Sequence, residues 1–227
     1  MFKKLLEKTK SPINGEITIY SLFGSPRMQI GGLLQSGGVV ADIWKKGIKA
    51  ATSKQLPAAS ILILGLGCGT AAKVFSQKWP KAEIVGVEID LEVIKLGKKY
   101  FGLDKIPNLK IVCGDGIKLA ARYQKPEARI KKLKAGNWQL ETGSLDKFDL
   151  IIVDLYLGEQ IPEKSESLIF LRKLKSLLSK NGIVIFNRIF WDTHKKSAKL
   201  FVQKTEKVFK EVKLVRTVAN LLVICKK

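Results

Sequence analysis

The sequence has little of what metal centres and disulfide scaffolds are made from: one histidine, His194, and three cysteines, Cys68, Cys113 and Cys225, among 227 residues. An odd number of cysteines beside strand-like apolar runs supports neither a disulfide framework nor a zinc site, so no metal is expected and the thiols read as buried and reduced. No run of eighteen or more apolar residues occurs, and MFKKLLEKTK has too short an apolar part for a signal peptide. A cytoplasmic protein with no membrane partner is therefore expected. Acid is scarce too, with 20 Asp+Glu against 41 Lys+Arg and a net charge of +21. That excess draws any polyanion. It is mostly lysine spread along the whole chain, whereas arginine is the residue suited to bidentate phosphate and guanine contacts, so nucleic acid is not the favoured partner.

What is present is the composition of a globular protein, 46% hydrophobic and 27% charged, and its length suits one domain with a small N-terminal elaboration. Residues 1–37 read as a basic segment followed by a β-hairpin over Glu16–Leu34, in which GSPR supplies the turn. The hairpin edge is a plausible surface for homodimer pairing. VVADIWKKGIKAA has helical spacing, with Val39, Ile43, Trp44 and Ile48 on one face. From there to the end, residues 38–227, strand and helix patterns alternate. This predicts an α/β fold, a Rossmann-like seven-stranded, mostly parallel sheet flanked by helices and closed by an antiparallel pair. A basic, polar stretch at about 124–147 is too long for a simple helix-to-strand link and reads as an insertion overhanging the sheet edge.

Four strand tips carry chemistry. ILILGLGCGTAAKVF runs from a buried strand through Gly65, Gly67 and Gly69 into a helix, where glycine permits a tight turn and close ligand approach, and the helix start offers free N–H donors. Glu88 ends the next strand, EIVGVE, where a carboxylate can accept ribose hydroxyls. Asp115 stands in a Gly-Asp-Gly turn after the third, where it can take an adenine amino group, cap the following helix, or do both. Asp154 follows the apolar run LIIV at the ligand edge of the sheet, where a carboxylate can meet the cationic end of a bound ligand, its amino group or a sulfonium.

GLGCGT, VEID with VIKLGKKYF, CGDG and VDLYLGEQIPE together resemble the successive motifs of the spermidine synthase family of aminopropyltransferases, within the class I S-adenosylmethionine-dependent methyltransferase fold. The resemblance implies S-adenosylmethionine, or its decarboxylated form, as ligand. Gly65, Gly67 and Gly69, with Cys68 among them, would flank its amino-acid portion, Glu88 its ribose, and Asp115 with Gly116 its adenine. It also makes Gln35, in LLQSGG after the hairpin, a candidate contact.

Two positions depart from the family. Its glycine loop carries Asp where this chain has Cys68, and its fourth-strand loop carries a second Asp where this chain has Leu157. Aminopropyl transfer to a polyamine needs carboxylates to bind ammonium groups and remove a proton, and leucine does neither. Asp154, Tyr156 and Glu159 remain as the candidate catalytic groups. Methyl transfer asks mainly for alignment of an activated carbon. The expectation is therefore a transferase moving a methyl group to a small-molecule acceptor. The alternatives are a polyamine synthase making spermidine from putrescine, and a non-catalytic binder of a nucleoside or nucleic acid, which the basic stretch Arg129–Lys134 would favour. His194 reads as a helix start or an active-site base, and Trp138 and Trp191 as packing or as walls of a substrate pocket.

Overall fold

The computed structural model describes residues 2–51, 58–122, 127–132, 138–143, 147–158 and 160–227, with residues 122, 127–132 and 138–143 described by their backbone alone. The apolar runs that alternate with helical patterns fold as parallel β-strands: β5 (Ser60–Leu64), β6 (Glu83–Glu88), β7 (Leu109–Cys113), β10 (Phe148–Val153) and β11 (Leu178–Ile189). These pair in parallel in the order β11-β10-β5-β6-β7. β13 (Asn220–Lys226) joins β11 antiparallel and β12 (Glu211–Arg216) joins β13, which completes the seven strands that the sequence predicts.

The period-two alternation of side chains divides the core. Leu62, Leu64, Val85, Ile151, Val153 and Phe186 face a layer that contains Phe170 and Leu174 of α5 (Leu168–Leu177) and Phe201 of α6 (His194–Glu206). Ile61, Ile63, Ile84, Ile152 and Ile185 face the other layer, with Trp44 and Ile48 of α1 (Val39–Ala51) and Phe75 of α2 (Thr70–Lys78). Burial on both faces explains why these strands read as continuous apolar runs.

Four features differ from the sequence reading. Within the insertion, the described backbone of β8 (Glu127–Lys132) and β9 (Trp138–Gly143) forms a hairpin that pairs with β7, making nine strands. An edge strand leaves backbone donors and acceptors unpaired, and this hairpin supplies partners for them. The small N-terminal sheet expected around the Glu16–Leu34 hairpin is present and has four antiparallel strands, β1 (Lys3–Ser11), β2 (Gly15–Leu22), β3 (Ser25–Ile30) and β4 (Leu33–Ser36), so it extends beyond that hairpin. β1 is an edge strand exposed along most of its length, so it carries no alternating pattern that would reveal it. In α1 the buried stripe contains Val40 rather than Val39, which is 63% exposed. Finally, Cys68 and Cys225 are buried but Cys113, at the tip of β7, is exposed. Ile17, Ile19, Met28 and Ile30 of the small sheet pack on Cys68, Val93 and Leu96, which seats that sheet beside the carboxyl ends of β5 and β6.

Candidate active site

The turn after β5 is built by hydrogen bonds that need glycine geometry. The N–H groups of Gly65 and Leu66 both donate to the carbonyl of Val87, at 3.0 and 2.9 Å, which ties the turn to the end of β6. Gly65 has φ 90°, and a Cβ there would lie 2.1 Å from the carbonyl oxygen of Asp154. No other residue type lets the ends of β5 and β10 approach so closely.

Gly67 N–H donates to Glu88 Oε2 at 2.8 Å, and Asp90 N–H donates to Glu88 Oε1 at 3.0 Å. Both carboxylate oxygens are thereby oriented. Burial raises the Glu88 pKa, and these two N–H groups oppose the shift. Asp90 is itself held by the Ser11 hydroxyl and by Asn14 Nδ2 at 2.7 Å, and caps α3 (Leu91–Leu96) through Glu92 N–H at 2.9 Å. The small sheet is in this way bonded to the end of β6.

Asp115 does cap a helix: its Oδ1 accepts from Ile117 N–H at 2.8 Å and Lys118 N–H at 3.2 Å at the start of α4 (Gly116–Arg122). Its side chain is 31% exposed. Gly65, Gly67, Glu88, Asp115, Gly116 and Asp154 all line one cavity of about 450 Å³.

A second cavity, of about 490 Å³, lies on the other side of Gln35, Val40, Asp154 and Tyr156, the four residues that line both. Asn187 Nδ2 donates to Asp154 Oδ1 at 2.9 Å, and Tyr156 donates its hydroxyl to the Asn187 carbonyl at 2.9 Å. Burial pushes the Asp154 carboxyl up to about 7, with the Asn187 hydrogen bond opposing and the charge of Glu88 adding to the rise. Burial likewise raises the Tyr156 phenol, which leaves it a neutral donor. Gln35 Nε2 donates to the Gly158 carbonyl at 3.2 Å, so the small sheet reaches across to the loop after β10. That loop is anchored at its far end by an ion pair between Glu166 and the buried Arg188, whose guanidinium lies 4.4 Å from the Phe201 ring centroid.

The structure thus brings together Gln35, Gly65, Gly67, Glu88, Asp115, Gly116, Asp154 and Tyr156. It does not bring Cys68 or Gly69 to either cavity wall. Cys68 turns under the small sheet, where its Sγ lies 3.2 Å from Met28 Sδ and burial raises its pKa. Gly69 is the left-handed residue before α2, packed where a Cβ would lie 2.4 Å from Leu103 Cδ1. His194 begins α6 and lines neither cavity, but its ring lies 6.5 Å from that of Trp191, which lines the second. Trp191 lines the second cavity. Glu159 and the side chains of Trp138 and Arg129–Lys134 lie outside the described residues.

Sequence reasoning missed Ser36, buried and accepting from Cys68 N–H at 3.1 Å, and above all Asn187. Its signal was an Asn-Arg pair interrupting the apolar run GIVIFNRIF near the carboxyl end of β11.

Comparison with known proteins bears on the family and the fold. The spermine/spermidine synthase domain matches residues 49–222. A polyamine aminopropyltransferase of Vibrio vulnificus is 31% identical over 127 residues, covering 56% of this chain and 36% of that protein. An eEF1A lysine and N-terminal methyltransferase of Bos taurus is 28% identical over 134 residues, covering 59% of this chain and 18% of that protein. The chain therefore matches little more than a third of the length of the first of these relatives and less than a fifth of the second. In fold it resembles a spermidine synthase solved in complex with the transition state analogue AdoDATO, with a TM-score of 0.72 and 16% identity over 99% of this chain and 74% of that one. With three quarters of its length inside the domain, this chain belongs to the spermine/spermidine synthase family.

Proposed function

We propose that the protein is an S-adenosylmethionine-dependent transferase that moves a methyl group to an acceptor held in the second cavity. One observation carries this reading: Asp154 and Tyr156 form the wall shared by a nucleoside-sized cavity and a second one, while the position of the family's second acid is Leu157.

The 450 Å³ cavity falls in the range of roughly 300–1,000 Å³ typical of small-molecule sites. Its residues suit the nucleoside. Glu88 keeps lone pairs beyond its two backbone bonds for ribose hydroxyls, and Asp115 commits only Oδ1 to its helix cap, leaving Oδ2 for the adenine amino group. Bound there, S-adenosylmethionine supplies a carbon already activated by a positively charged sulfur. The protein's part is to align and to move a proton. Asp154, raised to about 7, is matched to taking a proton from the acceptor near neutral pH. Asn187 holds that carboxylate in place, and the Gln35–Gly158 bond ties the small sheet to the loop that carries Asp154 and Tyr156 into the site.

Aminopropyl transfer from the decarboxylated ligand to putrescine is the second reading, favoured by the Vibrio vulnificus relative. It needs a further carboxylate in the acceptor cavity. Among the described residues, the one carboxylate besides Asp154 that lines it is Asp42, which is exposed and lies 3.4 Å from Lys45. The readings are separated by incubating the protein with each ligand form and putrescine, then weighing the products by mass spectrometry. Aminopropylated putrescine overturns methyl transfer, and binding of S-adenosylhomocysteine without any aminopropyl product supports it.

A further inference from the structure

The second cavity has walls unlike those that suit a polycation. Leu33, Ile43, Ile189, Trp191 and Val218 provide apolar surface along it, and Asp154 is its inner carboxylate. At its mouth Val218 is fully exposed and Trp191 is 41% exposed, so the apolar lining continues to the rim. The described rim charges already have partners. Asp42 faces Lys45, and Lys46 donates to the Arg216 carbonyl at 2.8 Å. Among the described residues, a second ammonium placed along these walls would lose hydration and find only Asp42, already paired with Lys45, as a carboxylate besides Asp154.

We propose that this cavity binds a small acceptor with an apolar body and a single terminal amine, the ammonium against Asp154 and the body along Ile43, Ile189, Trp191 and Val218. The inference rests on the transferase reading above, whose acceptor it names by class. The ammonium is complementary to a carboxylate that Asn187 already orients. The apolar body accounts for the remaining wall.

The test is calorimetric titration with n-butylamine, n-hexylamine, n-octylamine and 2-phenylethylamine, set against putrescine, 1,6-diaminohexane and a lysine-containing peptide, with and without saturating S-adenosylhomocysteine. Affinity is expected to rise about fourfold per methylene along the monoamines, the ratio given by about 0.8 kcal/mol per buried CH₂. The diamine of equal length is expected to bind about five- to 150-fold more weakly than its monoamine, as one unpaired ammonium costs about 1–3 kcal/mol. Val218→Asp, at an exposed position, should narrow the gap between 1,6-diaminohexane and n-hexylamine and leave S-adenosylhomocysteine affinity unchanged. A flat chain-length series, diamines binding as tightly as monoamines, or the peptide binding best each overturns the proposal. Failure of S-adenosylhomocysteine to bind strikes the transferase reading instead, and the amine series without it still decides this one.

Discussion

The side-chain amide of Asn187 donates to Asp154 Oδ1 at 2.9 Å, joining the ends of β11 and β10 at the wall between the two cavities. This bond fixes which carboxylate oxygen remains for an acceptor, and it stabilises the charged form against burial. Replacing Asn187 with Leu removes it. A hydrogen bond to a charged group contributes about 1.5–3 kcal/mol, so the midpoint of the pH–rate profile should move up by roughly one to two pH units. An unmoved midpoint would show that Asn187 only fills space.

Asp154→Asn tests the carboxylate itself. Loss of a general base lowers rates by about 10²–10⁴, and the amide still pairs sterically with its neighbours, so turnover should fall by that factor while S-adenosylhomocysteine affinity changes little. Single-turnover kinetics beside calorimetry separates the two. Equal losses in both would place Asp154 in ligand binding.

The same residue makes stability depend on pH. Its folded pKa of about 7 exceeds the ordinary 3.8, so between pH 4 and 7 the folded protein binds more protons than the unfolded chain. Stability contributed by the protonated form is complete below pH 4 and is lost as pH rises through about 7. Asp154 is half-buried, and water at the cavity wall limits the effect to on the order of a few kcal/mol. Denaturant curves at pH 5 and 8 should therefore show Asp154→Asn gaining on the wild type at the higher pH. Parallel curves would refute the raised pKa.

Asp115 has two duties that two substitutions divide. Serine caps helices about as well as aspartate, so Asp115→Ser should keep stability near that of the wild type, while Asp115→Ala should lose about 1 kcal/mol. Both lack the second oxygen, and both should weaken S-adenosylhomocysteine binding roughly tenfold, as expected for one lost charged hydrogen bond. Retained affinity in the serine variant would leave Asp115 as a cap alone.

Arg188 and Glu166 hold the far end of the loop that follows Asp154, and the arginine side chain is only 5% exposed. Removing one partner of a buried pair is destabilising by about 3–5 kcal/mol because the other charge is stranded, while replacing both with apolar residues is often neutral. Thermal unfolding should therefore rank Glu166→Met well below the double variant Arg188→Met with Glu166→Met. Additive losses would deny the coupling.

The parallel sheet was legible because strands buried on both faces are long branched apolar runs, and the tips carrying Gly65, Glu88, Asp115 and Asp154 follow those runs directly. β1 was not legible, since an exposed edge strand is specified by ladder hydrogen bonds rather than by an apolar period. Cys68 and Gly69 illustrate a different limit. They sit in the same glycine turn as the cavity residues, but one step of backbone rotation at each position turns them towards Met28 and Leu103.

By itself the sequence determined the layered α/β fold and the four strand tips, because burial periodicity and local turn chemistry act over a few neighbouring residues. Only the tertiary structure decided that Asn187 meets Asp154, that Gln35 reaches Gly158, and that two cavities share one wall. Those contacts join residues 33 and 123 positions apart, and their geometry follows from how sheets and helices pack rather than from any local pattern.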